Sequence, residues 1–300
     1  MSQNASDFHK ELLNKFSYHP TTKQSKLFSL LVDFLFSKNE KSLFLLKGYA
    51  GTGKTTTIST LVSSLWKINQ KSVLLAPTGR AAKVISVYSK KQAFTIHKKI
   101  YFPKKTPNGS VDFVLQNNKH TNTIFIVDEA SMIPDRPQNG KLFENGSLLD
   151  DLISYVYSGR NCKLILIGDT AQLPPVKLKL SPALEETRLE VDYNKMVHQI
   201  ELDEVTRQHQ NSGILANATL LRTQIESNSI YFEFDLNFPD IIRLEDGYDI
   251  EDAITGSYDN DGVEDTAIIV RSNKRANQYN QQIRSQIRGQ ENEISPGDYV

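Results

Sequence analysis

The stretch "LFLLKGYAGTGKTTTIS", Leu43 to Ser59, decides the fold. Its apolar beginning predicts a buried strand, its glycines predict a tight turn, and its threonine-rich end is compatible with a helix. Residues Gly48 to Thr55 fit the pattern G-x-x-x-x-G-K-[ST], which binds phosphate when it follows a strand and opens a helix. The glycines let backbone N–H groups turn towards the phosphates, and the helix N-terminus adds a favourable dipole. The stretch therefore predicts a phosphate loop for a nucleotide.

The same pattern predicts a nucleoside triphosphate with Mg²⁺. Lys54 is expected to reach the β- and γ-phosphates, and the Thr55 hydroxyl is expected to hold Mg²⁺. The residues expected to bind the nucleotide lie within the stretch 48–56: Gly48, Ala50, Gly51, Thr52, Gly53, Lys54, Thr55 and Thr56.

Further apolar runs alternate with segments of helical spacing. The runs are "SLFLL" (42–46), "SVLLA" (72–76), "TIFIVDE" (123–129), "KLILIGD" (163–169) and "HQIEL" (198–202). Near-continuous apolar strands separated by helices are typical of a parallel sheet covered on both faces. We therefore predict an α/β domain over residues 1–205. Within it, residues 8–37 have the spacing of two helices divided at Pro20, with Thr21 or Thr22 as the cap of the second.

Polar residues suited to catalysis follow two of these runs. Asp128 and Glu129 stand at the end of a predicted strand, where ligands bind in such sheets. Asp128 is expected to hold Mg²⁺ largely through water, because Mg²⁺ loses its hydration shell reluctantly. Glu129 is expected to orient and deprotonate the attacking water. Gln172 follows the strand that ends in Gly168-Asp169, and its amide is expected to bind the γ-phosphate.

Arg207, in "ELDEVTRQ" (201–208), lies where the first domain gives way to the next part of the chain. An arginine at a domain junction can stabilise the charge that develops on a γ-phosphate. A surface salt bridge with Asp203 or Glu204 is the alternative. The water-activating role expected of Glu129 favours hydrolysis of ATP over phosphoryl transfer to an alcohol.

An insertion at about 100–122 interrupts the alternation, and its Asn108-Gly109 pair predicts a β-hairpin. After residue 205 the chain becomes polar and increasingly acidic, and "TAIIVRSNKRANQYNQQIR" then predicts strand, turn and helix. We therefore expect residues 206–300 to form an incomplete second α/β domain, as in a fragment of a longer protein.

A local basic surface is hidden within a net charge of zero. The span 80–111 contains no Asp or Glu, and its basic residues are Arg80, Lys83, Lys90, Lys91, Lys98, Lys99, Lys104 and Lys105. Aromatic residues are interleaved with them: Tyr88, Phe94, Tyr101 and Phe102. Cations for phosphates and aromatic faces for bases suit a single-stranded nucleic acid, with a solvated charged face as the alternative. Further expected phosphate or sugar contacts are Thr78, Gly79, Thr95 and His97.

Composition narrows the class of protein. At 39% hydrophobic and 23% charged residues, the chain is typical of a globular protein. Its one cysteine, Cys162, cannot form an internal disulfide and is expected to be a small buried hydrophobe. No apolar run approaches the roughly 20 residues that span a bilayer, and the N-terminus lacks the apolar core of a signal peptide. We expect a cytoplasmic protein without a membrane partner, monomeric by default.

The motifs, taken in order, resemble those of the superfamily 1 helicases of subfamily B, the RecD-like and Dda-like DNA helicases. The series is "TTKQ" (21–24), "GYAGTGKTT" (48–56), "APTGRAAK" (76–83), "TIHKKIY" (95–101), "IFIVDEASM" (124–132), "LILIGDTAQLPPV" (164–176), "ELDEVTRQ" (201–208) and "AIIVRSNKRANQYN" (267–280). The series covers nearly the whole chain. It is far more specific than the phosphate loop alone, which marks only a nucleotide hydrolase.

The resemblance implies two RecA-like domains, with ATP in the cleft between them and single-stranded DNA across both. Gln24 would match the glutamine that reads adenine, and Arg207 the arginine that reaches the γ-phosphate. The hairpin at 101–121 would be the small subdomain that splits duplex junctions, with Phe102 or Phe113 near its tip; a plain structural hairpin is the alternative. Movement in this subfamily is 5′ to 3′, and repair or recombination proteins are the further partners that the resemblance offers.

The chain departs from the family pattern in its late motifs. After residue 208 we find neither a stretch of the "TxHxxQG" kind nor a second arginine near "SR". We therefore expect this chain alone to bind ATP and DNA but to hydrolyse and unwind weakly.

Two alternatives stand beside an ATP-dependent DNA helicase or translocase. The first is an ATP-regulated DNA-binding subunit without unwinding activity, against which the intact Glu129 argues, because a clamp needs no water-activating base. The second is a P-loop kinase of a small molecule, against which the basic aromatic span and the motif order argue.

Overall fold

The computed structural model describes residues 3–105, 111–134, 147–204, 212–227 and 229–290. Its strands are β1 (Ser42–Gly48), β2 (Lys71–Ala76), β3 (Ala93–Thr95), β4 (Tyr101–Lys105), β5 (Val111–Leu115), β6 (Thr121–Val127), β7 (Arg160–Gly168) and β8 (Met196–Leu202). Its helices are α1 (Gln3–Lys15), α2 (Thr22–Phe36), α3 (Lys54–Ser64), α4 (Gly79–Ser89), α5 (Ile96–Ile100), α6 (Leu148–Ser158), α7 (Glu186–Val191), α8 (Gly213–Glu226), α9 (Gly247–Asn260) and α10 (Asn273–Gln282). Short 3-10 turns span Leu65–Ile68, Ala130–Met132 and Pro182–Leu184, and a π-helical turn spans Ile283–Ile287.

Six strands form one parallel sheet in the order β3-β2-β6-β7-β1-β8. Each apolar run named in the sequence analysis forms a strand of this sheet, and all pairings between its strands are parallel. The predicted α/β fold with a parallel sheet is therefore confirmed. The sequence did not predict β3, because its three residues at the edge of the sheet are too few to show a periodic pattern.

Alternate residues of the central strands enter two separate cores. In β1, Phe44 and Leu46 belong to the core shared with α1, α2 and α3, whereas Leu43 and Leu45 belong to the core shared with α5 and α6. Successive side chains of a strand point to opposite faces, so consecutive apolar residues are buried only when both faces are covered. All four side chains are fully buried, which confirms the helical layers predicted on both faces.

A reciprocal cap fixes the start of α2. α1 ends at Lys15 and α2 begins at Thr22, on either side of the predicted break. Thr21 Oγ1 accepts the Gln24 N–H at 3.3 Å, and Gln24 Oε1 accepts the Thr21 N–H at 3.0 Å. This capping box satisfies two backbone donors at the helix end. The cap is therefore Thr21, one of the two residues predicted.

The predicted insertion contains an antiparallel hairpin of β4 and β5, with Tyr101 opposite Leu115 at its base. The Asn108-Gly109 pair, which predicts its turn, lies outside the described residues.

Two expectations from composition concern the cysteine and membranes. Cys162 is a free thiol that is 4% exposed, as predicted, and burial raises its pKa. None of the helices in the described ranges is long and apolar enough to cross a membrane.

The chain divides into two compact units, Met1–Glu233 and Phe234–Val300. The sequence placed a domain boundary at 205/206, whereas α8 is part of the first unit. In the described part of the second unit there are helices but no strand. The strand expected over 266–270 is therefore wrong, and its Ile269 is 94% exposed. A strand needs a neighbour for its backbone hydrogen bonds, so an apolar run alone does not make one. A second RecA-like domain stays a prediction.

A buried lysine of β7 closes the C-terminal end of α2. Lys163 is 4% exposed, and its Nζ donates to three carbonyl oxygens at that end: Phe34 and Ser37 at 2.7 Å and Leu35 at 3.2 Å. A helix leaves its last carbonyls without partners, and its dipole favours a cation there. Burial nevertheless lowers the pKa of Lys163 to about 8.

Replacing Lys163 by methionine is expected to change the pH dependence of stability. Because folding lowers the pKa of Lys163 from 10.5 to about 8, the unfolded chain binds more protons than the native protein between these values. The free energy of unfolding contributed by this residue therefore rises with pH across that window. Urea denaturation should show the wild type gaining stability relative to K163M from about pH 8 to 10.5, with no change below that. A constant difference across the window would contradict this.

Candidate nucleotide-binding and catalytic site

The carboxyl ends of the parallel strands meet at one edge of the sheet. β1 leads into the phosphate loop, β6 ends before Asp128, and β7 ends before Asp169. A cavity of about 890 Å³ lies at this edge, a size typical of small-ligand sites. Its lining includes Gln24, Tyr49, Ala50, Gly51, Gly53, Lys54, Thr55, Thr56, Asp128, Glu129, Asp169 and Gln172. The structure therefore brings most of the predicted nucleotide and catalytic residues together.

Two predicted nucleotide contacts, Gly48 and Thr52, support the loop and do not line this cavity. A Cβ on Gly48 would lie 2.9 Å from the Leu202 carbonyl oxygen, so only glycine allows the end of β1 to approach β8 this closely. Thr52 is 1% exposed, and its Oγ1 donates to the Tyr49 carbonyl at 2.7 Å. Both residues therefore shape the loop from within the protein.

Lys54 is bonded to the backbone of its own loop. Its Nζ donates to the carbonyl oxygens of Gly48 at 2.7 Å and Tyr49 at 2.9 Å. Burial lowers the pKa of the Lys54 ammonium, and three carboxylates of the cavity oppose this shift, with Asp169 the strongest. Phosphate oxygens are charged and bind an ammonium more strongly than carbonyls do. The contacts that Lys54 makes here are therefore ones that it can exchange for a phosphate.

Gln24, which the resemblance implies as the reader of adenine, joins α2 to the phosphate loop. It is 2% exposed, and its Nε2 donates to the Thr52 carbonyl at 2.9 Å while its Oε1 completes the capping box with Thr21. A side-chain amide has two donors and two acceptor sites, so these two bonds are compatible with a further contact to a base. Reading of adenine by Gln24 stays a prediction.

Asp128 and Glu129 follow β6 in an uncommon backbone geometry. Glu129 has a φ of 55°, a left-handed conformation that costs a residue with a side chain about 1–2 kcal/mol. Its N–H donates to Asp128 Oδ1 at 3.0 Å. Burial raises the pKa of both carboxyls, and for Glu129 the charge of Asp128 adds to this effect. A raised pKa makes a carboxylate a stronger base near neutral pH.

Ser131 orients the glutamine that was expected to contact the γ-phosphate. Ser131 Oγ donates to Gln172 Oε1 at 3.1 Å, and Gln172 favours the charged form of the Glu129 carboxyl and so opposes the rise in its pKa. Gln172 is therefore coupled to the expected general base within the protein. No sequence pattern pointed to Ser131, because a small polar residue two positions after Glu129 carries no distinct signal.

Asp169 is a site residue for which no sequence pattern predicted a role. It is 4% exposed, its Oδ1 accepts the Ala171 N–H at 2.8 Å, and it is the carboxylate that most favours the charged form of Lys54. It directly follows the apolar run of β7, at the same sheet edge as Asp128. That position is the signal that identifies it.

The cavity also has an aromatic part that the sequence had not indicated. Its members are Phe16, Tyr18, His19 and Tyr88. Flat faces of this kind are suited to stacking.

Thr55 and Asp128, the residues expected to hold Mg²⁺, line the cavity together with Asp169. Hydroxyl and carboxylate oxygens are ligand types that Mg²⁺ accepts. Across the described ranges, no group of three or more His, Cys, Asp and Glu side chains forms a metal site.

Arg207 lies outside the described residues, so its contact with the γ-phosphate stays a prediction. The acidic pair before it contacts α2: the Lys23 N–H donates to Glu204 Oε2 at 3.0 Å, and Lys23 Nζ pairs with Asp203 at 2.5 Å. These contacts tie the chain after β8 to the first turn of α2, next to Gln24.

Thr78 and Thr95, expected to contact nucleic acid, are helix N-caps. Thr78 Oγ1 accepts the Ala81 N–H, and Thr95 Oγ1 accepts the Lys98 N–H, each at 3.2 Å. The caps fix the starts of α4 and α5 at the carboxyl ends of the neighbouring strands β2 and β3. Both helices therefore begin at the sheet edge that carries the phosphate loop.

Three further residues expected to contact nucleic acid are exposed at the start of α4: Gly79, Arg80 and Lys83. His97 of α5 is half-buried, and burial lowers its pKa. It is therefore neutral at pH 7 and offers one donor and one acceptor.

Phe102 and Phe113 lie within the two strands of the hairpin, which corrects the expectation that one of them is near its tip. Phe102 is the second residue of β4, close to the hairpin base, and Phe113 is the central residue of β5. Phe102 pairs with Val114, and Phe113 pairs with Pro103. The two rings therefore project from opposite faces of the hairpin, and they are 42% and 38% exposed.

Tyr101 fixes the base of the hairpin to the domain. Its hydroxyl donates to Asp151 Oδ2 of α6 at 2.6 Å, and both residues are buried. Gln116 Nε2 also donates to the Tyr101 carbonyl at 2.7 Å. Burial and the bond to Asp151 raise the pKa of Tyr101, so the phenol stays protonated and keeps this bond.

Replacing Gly53 by alanine tests the geometry of the phosphate loop. Gly53 has a φ of 82°, and an added Cβ would lie 2.6 Å from Gln24 Nε2. We expect the free energy of unfolding to fall by about 1–2 kcal/mol, the cost of a left-handed residue with a side chain. The control is G79A, because a Cβ on Gly79 meets nothing within 4 Å and alanine favours a helix. If urea denaturation finds G53A as stable as the wild type, the loop geometry is not as described.

The chain is similar in sequence to a known domain family and to DNA helicases. The family model of the AAA domain matches residues 34–178. The ATP-dependent RecD2 DNA helicase of Deinococcus radiodurans is 31% identical over 134 residues, which are 45% of this chain and 16% of that protein. The ATP-dependent DNA helicase dda of Enterobacteria phage T4 is 31% identical over 209 residues, which are 67% of this chain and 42% of that protein.

Among solved structures, the Pif1 helicase from Candida albicans has a TM-score of 0.46 at 18% identity, covering 96% of this chain and 55% of that one. This structural similarity is too low to show a relationship, so the relationship to the helicases rests on the sequence matches. The chain spans less than half the length of the two curated relatives. The match to the AAA domain includes the phosphate loop, the Asp128-Glu129 pair and Gln172. With the ordered motifs, these matches show that the chain is related to the superfamily 1 P-loop DNA helicases of the RecD and Dda type.

Proposed function

We propose that this chain is the ATP-binding part of a motor that hydrolyses ATP and moves 5′ to 3′ along single-stranded DNA. The observation that carries the proposal is the convergence of Lys54 with three carboxylates on one cavity at the carboxyl edge of a parallel sheet. The direction of movement rests on the family resemblance. The whole proteins related to this chain are longer, and a complete second RecA-like domain would close the cleft over the nucleotide.

Hydrolysis requires a water activated beside the γ-phosphate, and we assign that task to Glu129. Burial raises the pKa of Glu129, and Gln172, to which Ser131 Oγ donates, favours the charged form of its carboxylate. Lys54 stabilises the charge on the β- and γ-phosphates. Mg²⁺, held by Thr55 and by Asp128 through water, would neutralise phosphate charge.

The phosphate loop supplies a change between two states. In one state, Lys54 Nζ is bonded to the carbonyls of Gly48 and Tyr49, as it is in the structure. A triphosphate offers charged oxygens in their place, and loss of the γ-phosphate returns Lys54 to the loop. Gln172 makes the same exchange between the general base and the γ-phosphate. With Arg207 on the same phosphate, ATP binding closes the cleft and hydrolysis opens it, which is a two-state element biased by nucleotide.

Single-stranded DNA is the proposed polymer, and duplex junctions are its proposed point of entry. Arg80 and Lys83 are exposed at the start of α4, and Phe102 is exposed on the hairpin. Cations neutralise DNA phosphates, and aromatic rings stack on bases. Other members of the basic span stabilise the protein itself, since Lys91 donates to a serine of β2 and Lys99 lies over an aromatic ring. The DNA track is therefore narrower than the basic span.

ATP turnover by the whole chain, with and without a single-stranded oligonucleotide, tests the proposal. E129Q removes the base and keeps the size of the side chain. It is expected to lower turnover by at least about 100-fold, as general bases contribute that much or more. Wild-type turnover is expected to rise when the oligonucleotide is added.

A second arm of the same assay tests the DNA track. R80A/K83A is expected to lose most of the stimulation by DNA. K71A is the matched control, because Lys71 is exposed at the amino end of β2, the opposite edge of the sheet. Turnover that ignores DNA but rises with a small alcohol would indicate a kinase and overturn the proposal.

A further inference from the structure

Arg222 of α8 lies against the phosphate loop. Its guanidinium carbon is 3.7 Å from the centroid of the Tyr49 ring, and Tyr49 is the second residue of the loop. A planar guanidinium on an aromatic face is a cation–π contact that also holds the guanidinium in a fixed orientation. α8 follows the junction segment 205–211, so this contact joins the phosphate loop to the chain beyond the sheet.

One hydrogen-bond donor of Arg222 has no acceptor within the described protein. The Nε atom is buried and has no hydrogen-bond partner among residues whose positions are described. Buried donors without acceptors are rare in native proteins, and each one needs an explanation. A phosphate or carboxylate is the acceptor that best fits the donor geometry of a guanidinium. The unpartnered Nε–H therefore indicates an anion that binds here.

Charge locates that anion near the ATP site. Tyr49 lies between the two cations: its carbonyl accepts Lys54 Nζ at 2.9 Å, and its ring carries the guanidinium. Two neighbouring cations repel each other unless an anion binds both. The β- and γ-phosphates expected at Lys54 are such an anion.

We propose that Arg222 is a phosphate-binding residue that distinguishes the triphosphate from the diphosphate. Tyr49 holds the guanidinium in place, and the Arg222 Nε–H donates to an oxygen of the γ-phosphate, which ADP lacks. This inference rests on the proposed function of the loop as an ATP site. Arg222 acts in addition to Arg207, so the chain after β8 supplies two arginines to the nucleotide.

Binding of two fluorescent nucleotides to the whole chain tests this role. The probes are ADP and a non-hydrolysable ATP analogue, each with Mg²⁺. R222Q is expected to weaken binding of the ATP analogue by at least about tenfold and binding of ADP by less than about twofold. The reason is that a hydrogen bond to a charged group is lost only for the triphosphate. R222K keeps the charge but not the planar fork, so it is expected to be intermediate.

Tyr49 supplies the matched pair of variants. Y49L removes the ring that holds the guanidinium and is expected to show the same selective loss as R222Q. Y49F keeps the ring and is expected to keep the preference for the triphosphate analogue over ADP. A Y49L variant with unchanged preference for the triphosphate would overturn the role of the ring in positioning Arg222.

The remaining outcomes separate a binding role from a structural one. Equal losses of affinity for ADP and for the analogue in both R222Q and R222K would indicate a structural role and overturn the inference. Unchanged affinity for both nucleotides would also overturn it. Unfolding curves without nucleotide show whether R222Q is folded, and R222K carries the test if it is not. A wild-type chain that binds neither nucleotide would overturn the proposed function together with this inference.

Discussion

The parallel pairing of β1 with β7 on one side and β8 on the other is the constraint on which the rest of the structure depends. It places the carboxyl ends of these strands at one edge, where the phosphate loop, Asp169 and the chain towards the junction all begin. Helices bury both faces of the sheet, so a shift in register would exchange side chains between the two cores, disrupt the packing of both, and is strongly disfavoured. Gly48 shows how closely this edge is packed, since a Cβ there would meet the Leu202 carbonyl oxygen.

Several unfavourable features of the chain lie at this edge. Glu129 has a left-handed backbone, the pKa of Lys54 is lowered by burial, and Arg222 keeps a buried Nε–H without an acceptor in the described structure. Lys163, remote from the edge, is also buried, but its ammonium donates to three carbonyls. Strain and unpaired donors persist where function uses them. A bound triphosphate would satisfy the charges at the edge, whereas Lys163 needs no ligand.

Local patterns in the sequence were sufficient for the strands of the sheet, the phosphate loop, and the positions of Lys54 and Glu129. Consecutive apolar residues are a strong signal when both faces of a strand are buried. The same signal failed over 266–270, because the described second unit offers that run no strand partner. Ser131 and Arg222 were missed because their contacts join residues far apart in the chain, and no periodic pattern records such contacts. Gln24 was expected from the resemblance, but its bonds to the cap and the loop required the structure.

We propose that the cavity at this edge is a nucleotide site in which Lys54 exchanges loop carbonyls for phosphate oxygens. Calorimetric titration of the whole chain and of K54A with Mg²⁺ and a non-hydrolysable ATP analogue tests this exchange. We expect one nucleotide per wild-type chain and an affinity at least about tenfold weaker in K54A, because a charge-assisted bond to phosphate is lost. No binding by the wild type, or equal affinity in K54A, would contradict it.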